Sequence, residues 1–286
     1  MTVSIPTDAR LTFGGILRSE WIKLFSLRST VWCYVIMVAL MIGLTVLLSA
    51  LSGVGVEDPA AAGELARESV QSAWLQTASV GINFAQLVIA VLGALVITGE
   101  YGTGMIRSTF AAVPGRVGAL VGKIVVFGVT TFVVSFVSLV VSALTAVPLL
   151  GANGYDVDVA DPAVWLGLVG AAAFVTLIGL MALGIGTIIR NTAGAIAAAL
   201  GLLLVLPTIL QIFGAVTQID WLFDAAAFLP SSAGSALTSY PTEPVEYPAG
   251  VFVPLTLDPL QALLVLLVWV GVPLIVGGVL LKRRDS

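Results

Sequence analysis

The sequence contains six long runs of apolar residues whose central parts carry no Asp, Glu, Lys or Arg. A transmembrane helix needs about 20 consecutive apolar residues, and the bilayer core admits only helices and closed barrels. Hydrophobic residues make up 59% of the chain and charged residues 10%. We therefore expect an all-α polytopic membrane protein, one domain over residues 1–286. Its six spans are predicted at 31–51, 79–98, 119–148, 163–189, 193–214 and 260–281.

The basic residues predict the orientation of these spans. With the spans placed this way, every Lys and Arg except Arg67 falls in segments on one side, and most acidic residues fall on the other. Lys and Arg in short loops mark the cytoplasmic side. We therefore expect a multi-pass protein of the cell membrane with both termini in the cytoplasm, where its basic residues meet anionic lipid.

Residues 12–28, before the first span, predict an interfacial helix. Its apolar side carries Phe13, Leu17, Trp21, Leu24 and Leu27, and its polar side carries Arg18, Ser19, Lys23 and Ser26. Glu20 interrupts the apolar side. Either it pairs with a basic group at the cytoplasmic surface, for which Arg107 and Lys123 are the candidates, or it reaches round the helix to water.

The connection between spans 2 and 3 predicts a short helix at 103–113. Ile106, Phe110 and Val113 repeat at the spacing of a single helix face. Thr103 is expected to cap the start of this helix, and Pro114 prevents its continuation. Such a helix suits docking into a groove on a partner, although it could equally be a connector that rests on the membrane surface.

Two stretches resemble a known family. Glu100, Tyr101, Gly102, Thr103, Pro114 and Arg116, at this spacing, resemble the segment between the second and third spans of ABC-2 type transporter permeases. The sequence Ser-Glu-Trp-Ile-Lys-Leu at 19–24, followed by Arg-Ser-Thr at 28–30 and by Trp32, is similar to the lead-in to the first span of those permeases.

The resemblance implies that the 103–113 segment is a coupling helix that contacts a separate ATPase subunit. Glu100, Tyr101, Gly102, Thr103, Arg107, Pro114 and Arg116 would shape this element, and Ile106, Phe110 and Val113 would supply its docking face. Glu20, Trp21 and Lys23 would belong to the interfacial helix that accompanies it. Two permease chains, identical or paralogous, would share two ATPase subunits that bind ATP and Mg.

The chain itself offers little for chemistry. It has no histidine and one cysteine, and no carboxylate pair or nucleophile with a base lies within the spans. The stretch from Gly118 to Lys123 falls one residue short of a phosphate-binding loop and lacks its final hydroxyl. We therefore expect no enzyme activity, no metal, no cofactor and no nucleic-acid partner for this chain. The uncharged spans also disfavour ion-coupled transport.

Polar side chains within the spans are few. Asn83 and Gln86 lie in span 2, and one face of span 3 carries Thr131, Ser135, Ser138, Ser142 and Thr145. These hydroxyls indicate either close helix packing or a weakly polar strip along a substrate pathway. A transporter of this kind would export a lipid, hydrophobic drug, peptide or glycolipid. The alternative is a non-transporting sensor or assembly anchor that docks a cytoplasmic partner.

The second half of the chain adds two expectations. The tight turn at 190–192 makes spans 4 and 5 antiparallel neighbours, with contacts expected at the pairs Ala182 and Gly186, Gly194 and Ala198, and Ala197 and Gly201. Residues 215–259 form an external loop in which Trp221, Leu222, Phe223 and Phe228 suggest a re-entrant or interfacial helix. The prolines from Pro230 onward are expected to keep the rest irregular.

Overall fold

The structure, a computed structural model, describes residues 12–51, 63–105, 116–241 and 253–284. Every regular element in these ranges is helical. The helices are α1 (Phe13–Ser26), α2 (Arg28–Leu51), α3 (Gly63–Ser79), α4 (Ile82–Gly102), α5 (Arg116–Ala152), α6 (Pro162–Ile189), α7 (Thr192–Leu200), α8 (Leu206–Thr217), α9 (Asp220–Ala227), α10 (Pro230–Leu237) and α11 (Pro259–Arg284). A π-helical turn, Gly201–Val205, joins α7 to α8.

Six helical segments within the described ranges are long and apolar enough to cross a membrane. They are α2, α3 with α4, α5, α6, α7 with α8, and α11. For the described residues, the prediction of an all-α chain with six candidate spans is therefore confirmed. The sidedness of the termini stays a prediction.

The second span differs from its predicted limits of 79–98. The helix breaks at Val80 and Gly81, where a Cβ on Gly81 would overlap the backbone of Met41 in α2. The break leaves carbonyls without their helical partners, and the buried hydroxyl of Thr45 lies 3.2 Å from the carbonyl oxygen of Thr77. At its other end α4 continues beyond Thr98 to Gly102.

The third span was predicted to end at Pro148, but α5 continues to Ala152. A proline removes only its own N–H, and here it lies in the last turns of the helix, where one lost hydrogen bond is tolerated. The side chain of Asn153 then donates to the carbonyl of Leu149 and to that of Ser49 in α2, both at 3.0 Å. These bonds close the end of the helix.

Helices α4 and α6 lie at the centre of the bundle and pack backbone to backbone. A Cβ on Gly93 would overlap the carbonyl oxygen of Gly179, so the two helices approach as closely as glycine allows. Ile89 and Phe127 close over the same position of α6. The core of the described residues therefore surrounds spans 2 and 4, while α2, α8 and α11 expose many apolar side chains.

The expected contacts between spans 4 and 5 are wrong at two positions. Gly186 faces α4, where a Cβ would lie 2.6 Å from Ile97 Cγ2, and Gly201 faces open space. The turn itself forms as predicted, with Arg190 in the left-handed region and the Asn191 side chain accepting from the N–H of Gly194. Spacing of small residues alone did not indicate which neighbour they face.

The segment after α8 is more helical than predicted. Pro230 begins α10 instead of interrupting the chain, because a proline in the first turn of a helix has no intrahelical partner to lose. Gly234 of α10 lies against the ring of Phe174 in α6. On α9, Leu222 is buried and Trp221 is exposed. Whether this segment re-enters a membrane stays a prediction.

Candidate functional site

Four charged side chains meet at the end of the bundle that the sequence predicts to be cytoplasmic. Lys123 Nζ lies 2.7 Å from Glu20 Oε2 and 2.8 Å from Glu100 Oε1. Lys23 Nζ lies 2.7 Å from Glu20 Oε1 and 3.3 Å from Glu100 Oε1. Each carboxylate therefore contacts both ammonium groups. We call these four residues the charge cluster.

Three helices hold the charge cluster. Glu20 and Lys23 lie one turn apart on α1, Glu100 lies in the last turn of α4, and Lys123 lies near the start of α5. Helix α1 can approach α5 because residue 122 is a glycine, where a Cβ would lie 2.6 Å from Ile16 Cγ2. The face of α1 that packs on the bundle is thus the face that carries Glu20.

Three of the four side chains in the charge cluster are almost completely buried. The side chains of Glu20, Glu100 and Lys123 are 3%, 5% and 7% exposed, whereas that of Lys23 is 26% exposed. Isolated charges at such positions would be strongly disfavoured, so each must be paired and hydrogen-bonded. Each carboxylate faces two ammonium groups, so opposite charges compensate one another where water is largely excluded.

The pKa values of the two α1 residues follow from this environment. Burial alone would raise the pKa of Glu20, but the charge of Lys123 and the hydrogen bonds from both lysines outweigh it and lower the pKa. Burial likewise opposes the charged form of Lys23, but the hydrogen bond to Glu20 and the charge of Glu100 raise its pKa. Both groups are held in their charged forms.

The sequence anticipated part of this cluster. Glu20 was expected to pair with Arg107 or Lys123, or to reach water, and the structure selects Lys123 and excludes the solvated alternative. Lys23 was assigned to the polar side of α1 but joins the cluster instead, because its long side chain bends toward the two carboxylates. Trp21 is half exposed and packs on Phe25 with ring centroids 4.7 Å apart.

The end of α4 also contacts the turn between spans 4 and 5, which the sequence did not indicate. The guanidinium of Arg190 lies 5.1 Å from the ring centroid of Tyr101. The hydroxyl of Thr192 donates to that of Thr98 at 3.0 Å. Arginine over an aromatic face is a favourable arrangement. The last turns of α4 thus contact α1, α5 and the turn that begins α7.

Thr103 ends α4 instead of starting the next helix. Its hydroxyl donates to the carbonyl of Gly99 at 2.9 Å, as a side chain at a helix C-terminus can, so its prediction as an N-cap is wrong. Gly102 is the last residue of α4, and Gly104 has φ of +72° and reverses the chain. The described residues do not include Ile106, Arg107, Phe110, Val113 and Pro114, so the coupling helix stays a prediction. Arg116 begins α5.

A mostly apolar cavity of about 190 Å³ adjoins the charge cluster. Leu24, Leu92, Val96 and Phe127 are among the side chains that line it, and the four cluster residues line it as well. The cavity therefore separates α1 from parts of α4 and α5.

The predicted polar strip on α5 is buried against α2. The hydroxyl of Thr131 lies 2.9 Å from that of Tyr34, and the Ser135 hydroxyl lies 3.8 Å from the sulfur of Met37. Ser138 donates to its own helix at Val134, and Ser142 is fully buried. These positions favour helix packing, and the pathway role of the strip stays a prediction.

Asn83 and Gln86 occupy a different position from the strip. Both line a second cavity at the opposite end of the bundle from the charge cluster. Within the described ranges, no group of three or more Cys, Asp or Glu side chains could hold a metal ion. Neither the protein-family models nor the curated proteins include a match to this chain.

Proposed function

We propose that this protein is the membrane subunit of an ATP-driven exporter of the ABC-2 type. Two such chains, identical or paralogous, would form the pathway, and two separate ATPase subunits with bound ATP and Mg would drive it. The cargo would be a hydrophobic or amphipathic molecule, since the candidate spans carry almost no charge. The segment that follows Gly104 and extends to residue 113 would be the coupling helix that the ATPases move.

The charge cluster is the observation that best supports this proposal. Glu100 lies just before the 106–115 connection and Lys123 lies shortly after it, and both are bound to α1. A force applied to the connection would therefore reach α4, α5 and α1 together. Connections that only join two spans do not require buried ion pairs at both of their ends.

The contacts of Tyr101 and Thr98 extend the same argument. Through Arg190 and Thr192 they join the end of α4 to the turn between spans 4 and 5. A displacement of α4 would be passed to α6 and α7 as well. The arrangement suits a device that converts one local movement into a movement of most of the bundle.

The alternative is a non-transporting sensor or anchor that docks a partner through the same segment. Purification of the tagged chain from its native cells, with mass spectrometry of the copurified proteins, distinguishes the two. We expect an ATPase with a phosphate-binding loop whose hydrolysis responds to added lipid. Copurification of a partner without such an ATPase would refute the exporter proposal and favour the anchor.

The variant Phe110→Asp tests the docking face directly. A carboxylate at the centre of an apolar interface should abolish copurification of the ATPase, whereas Phe110→Leu keeps an apolar side chain and should retain it. Membrane insertion of both variants should equal that of the parent chain. Equal recovery of the ATPase with the two variants would contradict docking through this face.

A further inference from the structure

The second cavity lies where α10 packs beside the break between α3 and α4. Its volume is about 390 Å³, within the range of small-molecule sites. Its wall combines the side chains of Asn83, Gln86, Ser235 and Thr238 with the ring of Phe174. None of the described residues that line this cavity carries a charge. We call it the outer cavity.

The depth of the outer cavity follows from the length of α4. At a rise of 1.5 Å per residue, Gln86 lies roughly 21 Å along the helix from Glu100. The hydrocarbon core of a bilayer is about 30 Å thick, so the outer cavity falls in the half of the membrane away from the charge cluster. Polar groups at this depth are costly unless they find hydrogen-bond partners.

The hydroxyl groups in the wall of the outer cavity offer mainly hydrogen-bond acceptors to a ligand. Ser235 donates its proton to the carbonyl of Ser232 at 2.7 Å, and Thr238 donates to that of Ser235 at 2.9 Å. The protons are therefore used within α10, while the oxygen lone pairs remain available. A molecule with hydroxyl groups can donate to these oxygens, whereas a charged headgroup would lose its hydration without gaining a counter-ion.

Gln86 supplies an independent observation. Its side chain is 7% exposed, and its amide nitrogen donates to the carbonyl of Asn83 at 3.2 Å. Its amide oxygen has no hydrogen-bond partner. A buried acceptor without a partner is unfavourable, and because this oxygen is closed to solvent, a donor on a ligand can reach it only when the Gln86 side chain turns toward the cavity.

The helix break beside the cavity points the same way. Asn83 bonds through its amide to the carbonyl of Val80, which the break at Gly81 has removed from the helical pattern. Interrupted helices within a membrane are tolerated where they line a cavity, and in many transporters they form the substrate site. The break gives α4 a polar start beside the outer cavity.

We propose that the outer cavity binds an amphiphile through a neutral, hydroxylated headgroup, with its apolar part against Phe174. The headgroup hydroxyls donate to the oxygens of Gln86, Ser235 and Thr238. This inference deepens the proposed function by naming the class of molecule that the exporter would carry. It rests on the proposed function only in calling that molecule a cargo. Binding itself requires no ATPase.

The test uses the purified full-length chain without a partner, in a zwitterionic detergent. A photoactivatable dodecyl glucoside is the probe, and mass spectrometry locates the cross-links. We expect labelling of peptides that contain Asn83, Gln86 or Ser235, and competition by unlabelled dodecyl maltoside. Dodecyl phosphate and dodecyltrimethylammonium, which match the chain length but carry charge, should compete at least tenfold more weakly.

Two variants address the wall itself. Gln86→Leu removes the unpartnered oxygen, and Thr238→Val removes a peripheral hydroxyl and is expected to leave folding intact. Each should weaken probe binding by roughly three- to tenfold, which corresponds to one hydrogen bond. Thr208→Val is the matched control, because this exposed threonine also bonds its own helix but lies on α8, away from the outer cavity.

Two results would overturn the proposal. One is equal competition by the charged and neutral amphiphiles, which would mean that only the alkyl chain is recognised. The other is unchanged labelling in Thr238→Val and Gln86→Leu relative to Thr208→Val. Since the chain is tested alone, a failure to find an ATPase partner would refute the exporter proposal and leave this binding result intact.

Discussion

Replacing Lys123 by methionine is expected to destabilise the protein strongly. Lys123 Nζ lies 2.7 Å from Glu20 and 2.8 Å from Glu100, and all three side chains are at most 7% exposed. Methionine has a similar length, so the substitution removes the charge with little change in volume. It leaves two buried carboxylates that share the single remaining ammonium group of Lys23.

The expected cost follows from the burial of the pairs. Removing one partner of a buried ion pair typically costs about 3–5 kcal/mol, because the other charge is left uncompensated. Lys23 is 26% exposed and still contacts both carboxylates, so it offsets part of this cost. We therefore expect a loss of about 3 kcal/mol in the free energy of unfolding.

The assay is denaturant unfolding in detergent, followed by tryptophan fluorescence. Lys282→Met is the matched control, since Lys282 is exposed and its loss should change stability by less than about 0.5 kcal/mol. The double variant Glu20→Gln with Lys123→Met restores charge balance with Glu100 and Lys23. It should be more stable than the sum of the single changes by about 1–2 kcal/mol. Equal free energies of unfolding for Lys123→Met and Lys282→Met would refute the conclusion that the charge cluster holds α1, α4 and α5 together.

Three further predictions use the same preparation. The pKa of Glu20 is lowered from 4.5 and that of Lys23 is raised from 10.5. The charge cluster should therefore make its full contribution to the free energy of unfolding between about pH 4.5 and pH 10.5. Its contribution should fall as acid protonates Glu20 or as base deprotonates Lys23, and a steep change in stability near neutral pH would contradict this. Gly93→Ala should cost about 1–3 kcal/mol in unfolding experiments because the new methyl group meets the backbone of α6, whereas Gly99→Ala meets nothing within 4 Å and serves as control. Ser135→Ala should leave amphiphile selectivity unchanged, since this hydroxyl is buried against α2, and altered selectivity would place it in the pathway.

Hydropathy predicted the six candidate spans because the bilayer requires one long apolar run for each crossing. Hydropathy misplaced the ends of spans at which polar residues are hydrogen-bonded or ion-paired to residues far along the chain. The second span was predicted to end at Thr98, yet α4 continues to Gly102, and Glu100 in this last turn is paired with Lys123. Burial of a charge depends on a partner far along the chain, which local sequence does not specify.

The sequence predicted only part of the charge cluster, again because the partner of a buried charge can lie far along the chain. Glu20 could be identified because a carboxylate in an apolar stripe requires a partner, and Lys123 was one of two choices. The contacts of Tyr101 with Arg190 and of Thr98 with Thr192 gave no signal, since each residue is ordinary for its position. They depend on how the helices are arranged in three dimensions.

The most direct test of the account is the side of the membrane on which residue 110 lies. The variant Phe110→Cys, with Cys33→Ala to remove the only natural thiol, is labelled with a membrane-impermeant maleimide in oriented vesicles. We expect labelling in inside-out vesicles only, and protection from it when a copurified ATPase is added back. Labelling in right-side-out vesicles would place this face outside the cell, where no ATPase could drive it.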